Sequence, residues 1–223
     1  MHRKIKQRFH RIVSRSGVSP QRALEVGGVT GPDSLLDAPE IAGAERYCLN
    51  LLNMPDRDGV VTVAGNANDM HMFDDRSFDL VLCNATLEHD KRFWLSVAEM
   101  KRVLRPGGLL VIGVPGYVKD PEGDHGFSTH TYRVHYSFDY YRFSEQAVRD
   151  VFFDGMKRVR VSRIMDPPRL IGHGYKPAEV SRRRRARARA SAVARRVPPL
   201  RRAVARARRA EGPVVAALRR ARR

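Results

Sequence analysis

Short apolar runs alternate with stretches of helical character between residues 20 and about 178, and this alternation limits the fold more than any other feature of the chain. Residues 91–104 and 144–153 fit helices, whereas the apolar runs predict strands. The predicted strands are residues 23–26, 46–51, 60–64, 78–84 and 109–114, and a closing pair at 157–164 and 169–174. Such alternation is typical of a parallel sheet, so we expect an α/β domain with about seven strands in one sheet.

The two predicted helices have recognisable signals at their ends. In residues 91–104 the apolar side chains fall near helical spacing, and they include Trp94, which we expect in the core. The sequence RPGG at 105–108 stops this helix, because proline cannot continue it and glycine suits the open turn that follows. Ser144 is placed to cap the first turn of the second helix.

The net charge of +18 is concentrated at the two ends of the chain. Residues 181–223 contain 17 arginines and one acid, and residues 1–15 contain six basic residues and no acid. Residues 16–180 carry a net charge of −4, so the part that can fold is close to neutral. We therefore expect a basic lead-in at 1–19, a domain at 20–179 and a low-complexity arginine-rich tail at 180–223.

Apolar runs and cysteines narrow the class of protein further. No run approaches the roughly 18 consecutive apolar residues that a membrane span needs. The first residues are basic but lack the apolar stretch of a signal peptide, so we expect no membrane span and a cytoplasmic location. Cys48 and Cys83 lie in predicted strands, where buried free thiols are expected, and their spacing matches no zinc site.

Three motifs follow one another along the predicted strands. ALEVGGVTG at 23–31 runs from a buried strand into a glycine-rich turn, where the backbone can approach a ligand closely. SFDLVLCNATLEH at 77–89 and EMKRVLRPGGLLVI at 99–112 carry later strands. In this order the three motifs resemble the class I S-adenosylmethionine-dependent methyltransferases over roughly residues 20–175. The segment DYYRFS at 139–144 is similar to a stretch found in a subset of these enzymes.

The resemblance implies a Rossmann-like fold, with a mostly parallel seven-stranded sheet and helices on both faces, and S-adenosylmethionine as cofactor. The cofactor-binding residues implied by position are Glu25, Gly27, Gly28, Gly31, Asn50, Asn66, Ala67, Met70 and Asn84. Asn50 would meet the ribose hydroxyls and Asn66 the adenine amino group, where the family usually has acids. Val29 stands where the family usually has the middle glycine of the first motif, and Gly28 partly compensates.

The implied reaction is in-line methyl transfer to a small or medium acceptor, which depends on alignment and requires no covalent triad. His89 ends the LEH motif after a strand; it orders the loop beneath the cofactor, the interpretation we prefer, or acts as a general base. His130 and Tyr140 belong to a span rich in histidine and tyrosine at 125–143, which we expect to form or cover the acceptor site, and either could be the base. A metal site among the histidines at 125, 130 and 135 is disfavoured, because a spacing of five suits neither a helix face nor a strand face.

Two other classes of function stand beside this one. An NAD-dependent oxidoreductase is disfavoured, because the GxGxxG spacing is absent after the first strand. A catalytically inactive protein with a cofactor-binding fold would instead act as a basic module, and the residues at positions 29, 50 and 66, together with the arginine tail, keep this alternative open. The arginine tail is either a solvated extension or a contact for nucleic acid or anionic lipid.

Overall fold

The computed structural model of the protein describes residues 1–117 and 139–178. Its strands are β1 (Arg22–Val26), β2 (Glu45–Asn50), β3 (Val60–Ala64), β4 (Phe78–Asn84), β5 (Leu104–Pro115), β6 (Lys157–Ile164) and β7 (Arg169–Tyr175). Its helices are α1 (Arg3–Ser14), α2 (Phe93–Val103) and α3 (Glu145–Ala147), the last of which continues as a π-helical turn at Val148–Phe152. Short 3-10 helices lie at Pro39–Ile41 and Leu87–His89.

The strands form one seven-stranded sheet in the order β3-β2-β1-β4-β5-β7-β6. β1 to β5 run parallel, whereas β7 runs antiparallel to its neighbours β5 and β6. Pro115 at the end of β5 pairs with Arg169 at the start of β7. The carboxyl ends of β1–β5 and the start of β7 therefore meet at one edge of the sheet, which we call the carboxyl edge.

Both faces of the sheet are covered, as expected for this α/β class. One apolar cluster joins β-strand residues such as Val81 and Ile112 to α2 and to the π-helical turn. The other joins the alternate strand positions, such as Leu82 and Val111, to α1 and to the segment at 35–41. The predicted mostly parallel seven-stranded fold is therefore confirmed, and Cys48 and Cys83 are buried free thiols in it.

The amino-terminal segment differs from the expected lead-in. α1 carries an apolar stripe in which Ile5, Phe9, Ile12 and Val13 are all buried against the sheet. A Cβ atom added to Gly113 in β5 would lie 2.9 Å from the Phe9 ring, so this glycine makes room for the helix. Burial of each such side chain contributes roughly 2 kcal/mol. Residues 3–14 are therefore part of the core, and the five basic residues of this amphipathic helix lie outside its buried stripe.

Two local predictions also need correction. Trp94 is 51% exposed, because the neighbouring Phe93 takes the core position and contacts the rings of Tyr141, Phe143 and Phe152. β5 begins at Leu104 rather than at 109, since Leu104 already pairs with Phe78 before an irregularity in the register. The RPGG sequence does end α2, but it lies within this irregular part of the strand.

The second predicted helix is shorter than expected as an α-helix. Ser144 caps it as predicted, since its side chain accepts a hydrogen bond from the Ala147 backbone N–H at 3.0 Å. His130, predicted as a catalytic residue, and the predicted tail at 180–223 lie outside the described residues. Within residues 1–117 and 139–178, no helix is both long and apolar enough to cross a membrane.

Candidate active site

A cleft of about 300 Å³ opens at the carboxyl edge, where β1 to β4 end. Its walls come from Gly27 after β1, from residues 49–51 at the end of β2, from residues 65–68 after β3, and from the connection that follows β4. The predicted site residues that line this cleft are Gly27, Asn50, Asn66, Ala67 and His89. Four separate loops of the chain therefore bring their predicted residues to one place.

The floor of the cleft depends on a close approach between Gly27 and Thr86. Gly27 has φ +71°, and its N–H donates to the Leu49 carbonyl oxygen at 2.8 Å. A Cβ atom on this residue would lie 2.2 Å from Thr86 Oγ1, which real contacts do not allow. The Thr86 hydroxyl itself lies 3.1 Å from the Asn84 carbonyl oxygen and 3.3 Å from that of Val26. Glycine is required here by conformation and by space together.

Asn50 ties the end of β2 to the glycine turn. Its Nδ2 donates to the Gly28 carbonyl oxygen at 2.7 Å, and its Oδ1 accepts from the Leu52 N–H at 3.0 Å. A carboxylate could make only the second of these bonds, because it has no proton to donate. The amide at a position where the resemblance implies an acid therefore has a structural reason in this chain.

The loop after β3 is fastened to the start of α2 by side chains that the sequence reasoning missed. Asn66 Oδ1 accepts from the Asn68 N–H at 2.9 Å. Asn68 Nδ2 donates to Asp90 Oδ2 at 2.6 Å and contacts Ser96 Oγ at 2.8 Å, while Ser96 also donates to Asp90 at 2.6 Å. Asn68 and Asp90 both line the cleft. The sequence could have indicated both residues, because Asn68 directly follows the predicted site residue Ala67 and Asp90 directly follows the LEH motif.

Glu25 supports the cleft from beneath and does not line it. Its side chain is 3% exposed, and its Oε2 accepts from Ser34 Oγ and from the Leu35 N–H, both at 2.9 Å. Burial raises the pKa of Glu25 from its ordinary value of 4.5 to about 7, against the opposing effect of these two hydrogen bonds. A Cβ atom on Gly28 would lie 2.4 Å from Glu25 Cδ, so that glycine makes room for the carboxyl group.

Three further predicted cofactor residues lie elsewhere. Gly31 has φ +94° and faces the Arg57 guanidinium, outside the lining of the cleft. Met70 is completely buried in the core, and its side chain does not line the cleft. Asn84 at the end of β4 turns toward Met1 and lines a different cavity. Met70 and Asn84 follow or end their strands as the sequence indicates, but the direction of a side chain depends on tertiary packing.

The predicted catalytic residues fall in three different places. His89 lines the cleft. Tyr140 lies beside it: its N–H donates to the Glu88 carbonyl oxygen at 2.7 Å, and its ring centroid is 5.4 Å from Nζ of Lys91, which lines the cleft. His130 is outside the described residues. Within the described ranges, no group of histidine, cysteine and carboxylate side chains is arranged to hold a metal ion.

Glu88 is a buried carboxyl group next to these residues. It is 3% exposed, and its Oε1 lies 3.5 Å from Arg169 Nη1. Burial raises the pKa of Glu88, while His89 and Arg169 act in the opposite direction. The sequence reasoning named the LEH motif but gave no role to this glutamate, because nothing local shows that β7 brings an arginine to it.

A family model described as a methyltransferase domain matches residues 39–112, which include β2 to β4 and most of β5. The strand order given above and this match agree with the motif order of the sequence. Residues 39–112 of the described sheet therefore match a methyltransferase domain.

Curated relatives support the methyltransferase domain over part of its length. The chain is 35% identical over 112 residues to a probable phthiotriol/phenolphthiotriol dimycocerosates methyltransferase 2 of Mycobacterium ulcerans, covering 45% of this chain and 42% of that protein. It is 31% identical over 109 residues to a malonyl-[acyl-carrier protein] O-methyltransferase of Methylococcus capsulatus, covering 45% and 39%. The chain thus spans less than half the length of these relatives.

Solved structures support the fold of the methyltransferase domain. The 1,6-didemethyltoxoflavin-N1-methyltransferase of Burkholderia thailandensis, solved with its acceptor and S-adenosylhomocysteine, superposes with a TM-score of 0.57. The two sequences are 20% identical, and the match covers 78% of this chain and 77% of that one. At this identity the likeness establishes the shared fold.

Proposed function

We propose that this protein transfers a methyl group from S-adenosylmethionine to a small or medium acceptor by in-line displacement. The observation that carries the proposal is the cleft at the carboxyl edge, which the ends of β1 to β4 form within a sheet that matches a methyltransferase domain over residues 39–112. Open α/β sheets bind their ligands at this edge. Its volume of about 300 Å³ is within the usual range for small-molecule sites.

The residues of the cleft fit S-adenosylmethionine in shape and polarity. Gly27 has no side chain, so its backbone is open to the cofactor. The oxygen of a side-chain amide can accept two hydrogen bonds. Asn50 and Asn66 each have one backbone donor on Oδ1, which leaves acceptor capacity for the hydroxyl and amino groups of the cofactor. Ala67 and Leu51, whose side chain is 73% exposed at the cleft, offer apolar surface to the adenine ring.

When bound, S-adenosylmethionine supplies a methyl group that is already activated by the positively charged sulfur. The task of the chain is then to hold the acceptor in line with that group, and alignment of this kind contributes on the order of 7–11 kcal/mol. We propose that His89 orders the loop after β4 and takes up a proton only where the acceptor carries one. Tyr140 and His130 are proposed on the acceptor side.

The names of the relatives leave the acceptor atom open. One relative is named as an O-methyltransferase of a malonyl group on acyl-carrier protein, and the Burkholderia enzyme is named for a ring nitrogen. The fold is common to both, so the acceptor of this chain has to be inferred from its own residues.

Calorimetric titration of the full chain with S-adenosylmethionine tests the proposal. We expect saturable binding, no binding of NAD, and loss of cofactor binding in Gly27→Leu. Gly43→Leu is the matched control, because Gly43 has nothing within 4 Å of an added Cβ atom. A chain that binds heparin but neither S-adenosylmethionine nor its demethylated product would contradict the proposal and favour the inactive basic module.

A further inference from the structure

A second cavity, of about 220 Å³, lies at the carboxyl edge beside the cofactor cleft. It is bounded by the first residues of α1, by the end of β4, and by the tip of the β6–β7 hairpin. Asn84, Met165 and Arg169 contribute side chains to its wall. None of these three residues lines the cofactor cleft, so the cavity is a separate space.

Ala85 is the residue that the two spaces share. It has φ +52°, and its N–H donates to the Gly113 carbonyl oxygen at 2.9 Å, so its backbone is held in a conformation that non-glycine residues rarely adopt. A larger cavity of about 440 Å³ lies beside Gly116 and Tyr117, but its described lining has no residue in common with the cleft. Because in-line transfer needs the acceptor next to the cofactor, the cavity at Ala85 is the better placed of the two.

Hydrogen-bond donors dominate the polar lining of the cavity at Ala85. Arg169 and Asn84 both line it, and Nδ2 of Asn84 donates to Met1 Sδ, a weak acceptor, at 3.6 Å. His2 Nδ1 accepts from the Lys4 N–H at 3.1 Å, so the ring proton of a neutral His2 is on Nε2. Among the described residues that line the cavity there is no aspartate or glutamate.

The remaining lining of the cavity is apolar. The charge of Arg169 is balanced by a carboxyl group of the protein that does not line the cavity. Met1, Ile5, Met165 and Pro167 complete the wall. Glu88 contacts the Arg169 guanidinium at 3.5 Å, but Glu88 is 3% exposed and is not part of the described lining. An occupant therefore meets a cationic donor, an amide donor and a short apolar wall.

We infer that the acceptor is a carboxylate on a short apolar chain, held in the cavity at Ala85 by Arg169 and Asn84. The inference rests on the proposed function. An acceptor carboxylate oxygen forms a bond to the transferred methyl carbon, the carbon–sulfur bond breaks, and its electron pair goes to sulfur. The products are a methyl ester and S-adenosylhomocysteine, and no proton is released, which suits a cavity whose described lining has no carboxylate to accept one.

The test uses the full chain loaded with S-adenosylhomocysteine, so that binding is measured without turnover. Hexanoate, hexylamine and 1-hexanol are titrated separately by calorimetry. We expect hexanoate to bind at least tenfold more tightly than the other two, because a charge-assisted hydrogen bond to arginine is strong and the amine would meet a like charge. With S-adenosylmethionine in place of the product, mass spectrometry should detect methyl hexanoate.

Single-residue variants test whether hexanoate binds in the cavity at Ala85. Arg169→Gln should weaken hexanoate binding about tenfold or more and leave the affinity for S-adenosylhomocysteine unchanged. Met165→Glu, which keeps the contact between Arg169 and Glu88, should have the same effect by placing a negative charge in the wall. Arg163→Gln is the control, since Arg163 lines the larger cavity and not this one.

Two kinds of failure are distinguishable. If the parent chain does not bind S-adenosylhomocysteine, the proposed function and the inference fall together. If the loaded chain binds hexylamine or 1-hexanol as tightly as hexanoate, or if Arg163→Gln weakens hexanoate as much as Arg169→Gln does, the inference alone is overturned.

Discussion

Gly27 and Thr86 lie so close that a Cβ atom added to Gly27 would be 2.2 Å from the Thr86 hydroxyl oxygen. The two residues follow neighbouring strands of the sheet, since β1 pairs with β4. Their contact fixes the distance between two walls of the cofactor cleft. The added side chain would thus point at Thr86, and a bulky substitution acts on the cleft by pushing its walls apart.

Gly27→Ala should therefore lower both the melting temperature and the affinity for S-adenosylmethionine. The methyl group clashes with Thr86, and alanine is strained at φ +71°, so we expect a loss of more than about 1 kcal/mol in stability. Thermal melts and calorimetry measure the two effects. The double variant Gly27→Ala/Thr86→Gly should recover part of the loss, and Gly43→Ala should show none; an unchanged Gly27→Ala would contradict the role of the contact.

Asn50→Asp should weaken cofactor binding, although it introduces the acid that is usual in the family. The substitution removes the donor to the Gly28 carbonyl oxygen and places a carboxylate oxygen against it at the present distance of 2.7 Å. Loss of such a bond costs about 1–3 kcal/mol when the partner stays unsatisfied. Calorimetry with S-adenosylmethionine measures the change, and tighter binding by Asn50→Asp would show that the amide has no such structural role.

The stability of the protein should depend on pH through Glu25. Because burial raises the pKa of Glu25 to about 7, the folded chain retains a proton that the unfolded chain loses near pH 4.5. The free energy of unfolding therefore falls as the pH rises from 4.5 to 7, by on the order of 3 kcal/mol over the whole window.

Glu25→Gln removes this dependence while keeping an oxygen that can accept from Ser34 and Leu35. Denaturant unfolding should be measured at several pH values. The free energy of unfolding of the variant should rise relative to that of the parent chain between pH 5 and 7, and this difference should not grow further above pH 8. The exposed Glu40→Gln serves as control. A constant difference between parent and Glu25→Gln across this window would refute the assignment.

Truncation after Glu179 should leave the melting temperature unchanged and abolish retention on heparin at moderate salt. The described core residues end at β7, whereas the 17 arginines of residues 181–223 account for most of the net positive charge. Electrostatic binding to a polyanion weakens steeply with salt. A large fall in melting temperature on this truncation would mean that the tail contributes to the core.

The position of the cut matters because Lys176 closes the end of α2. Its Nζ donates to the carbonyl oxygens of Lys101 and Leu104, both at 2.6 Å, and lies 3.3 Å from that of Arg102. Truncation after Tyr175 should therefore destabilise the domain by more than about 1 kcal/mol, where truncation after Glu179 does not. Equal melting temperatures for the two truncations would show that Lys176 has no such effect.

Local patterns were sufficient to predict the strands of the sheet. Residues 60–64, 78–84 and 157–164 have the bounds of β3, β4 and β6. The first two are apolar runs between turn signals, and the third mixes basic residues with β-branched ones. The glycine turn after β1 was also predicted, since a strand followed by two glycines allows few alternatives. The order of the strands in the sheet was not predicted, because periodicity alone does not provide it.

Side-chain direction and long-range packing could not be predicted in the same way. Met70 and Asn84 have the expected separation from their strands, yet one is buried in the core and the other faces α1. Residues 1–19 were classified by their basic charge, and the apolar stripe of α1 was therefore not recognised. The contact between Glu88 and Arg169 joins residues 81 positions apart, and no local pattern specifies such a pair.

Because β7 is antiparallel, the cofactor cleft and the neighbouring cavity are formed by different parts of one sheet. The cofactor cleft belongs to the ends of β1–β4, whereas the hairpin tip between β6 and β7 reaches only the neighbouring cavity. Surface turns tolerate changes in length and sequence better than the strands they connect. Residues 165–168 can therefore diverge between descendants of this gene without disturbing the cofactor, and the choice of acceptor can evolve faster than the chemistry that serves it.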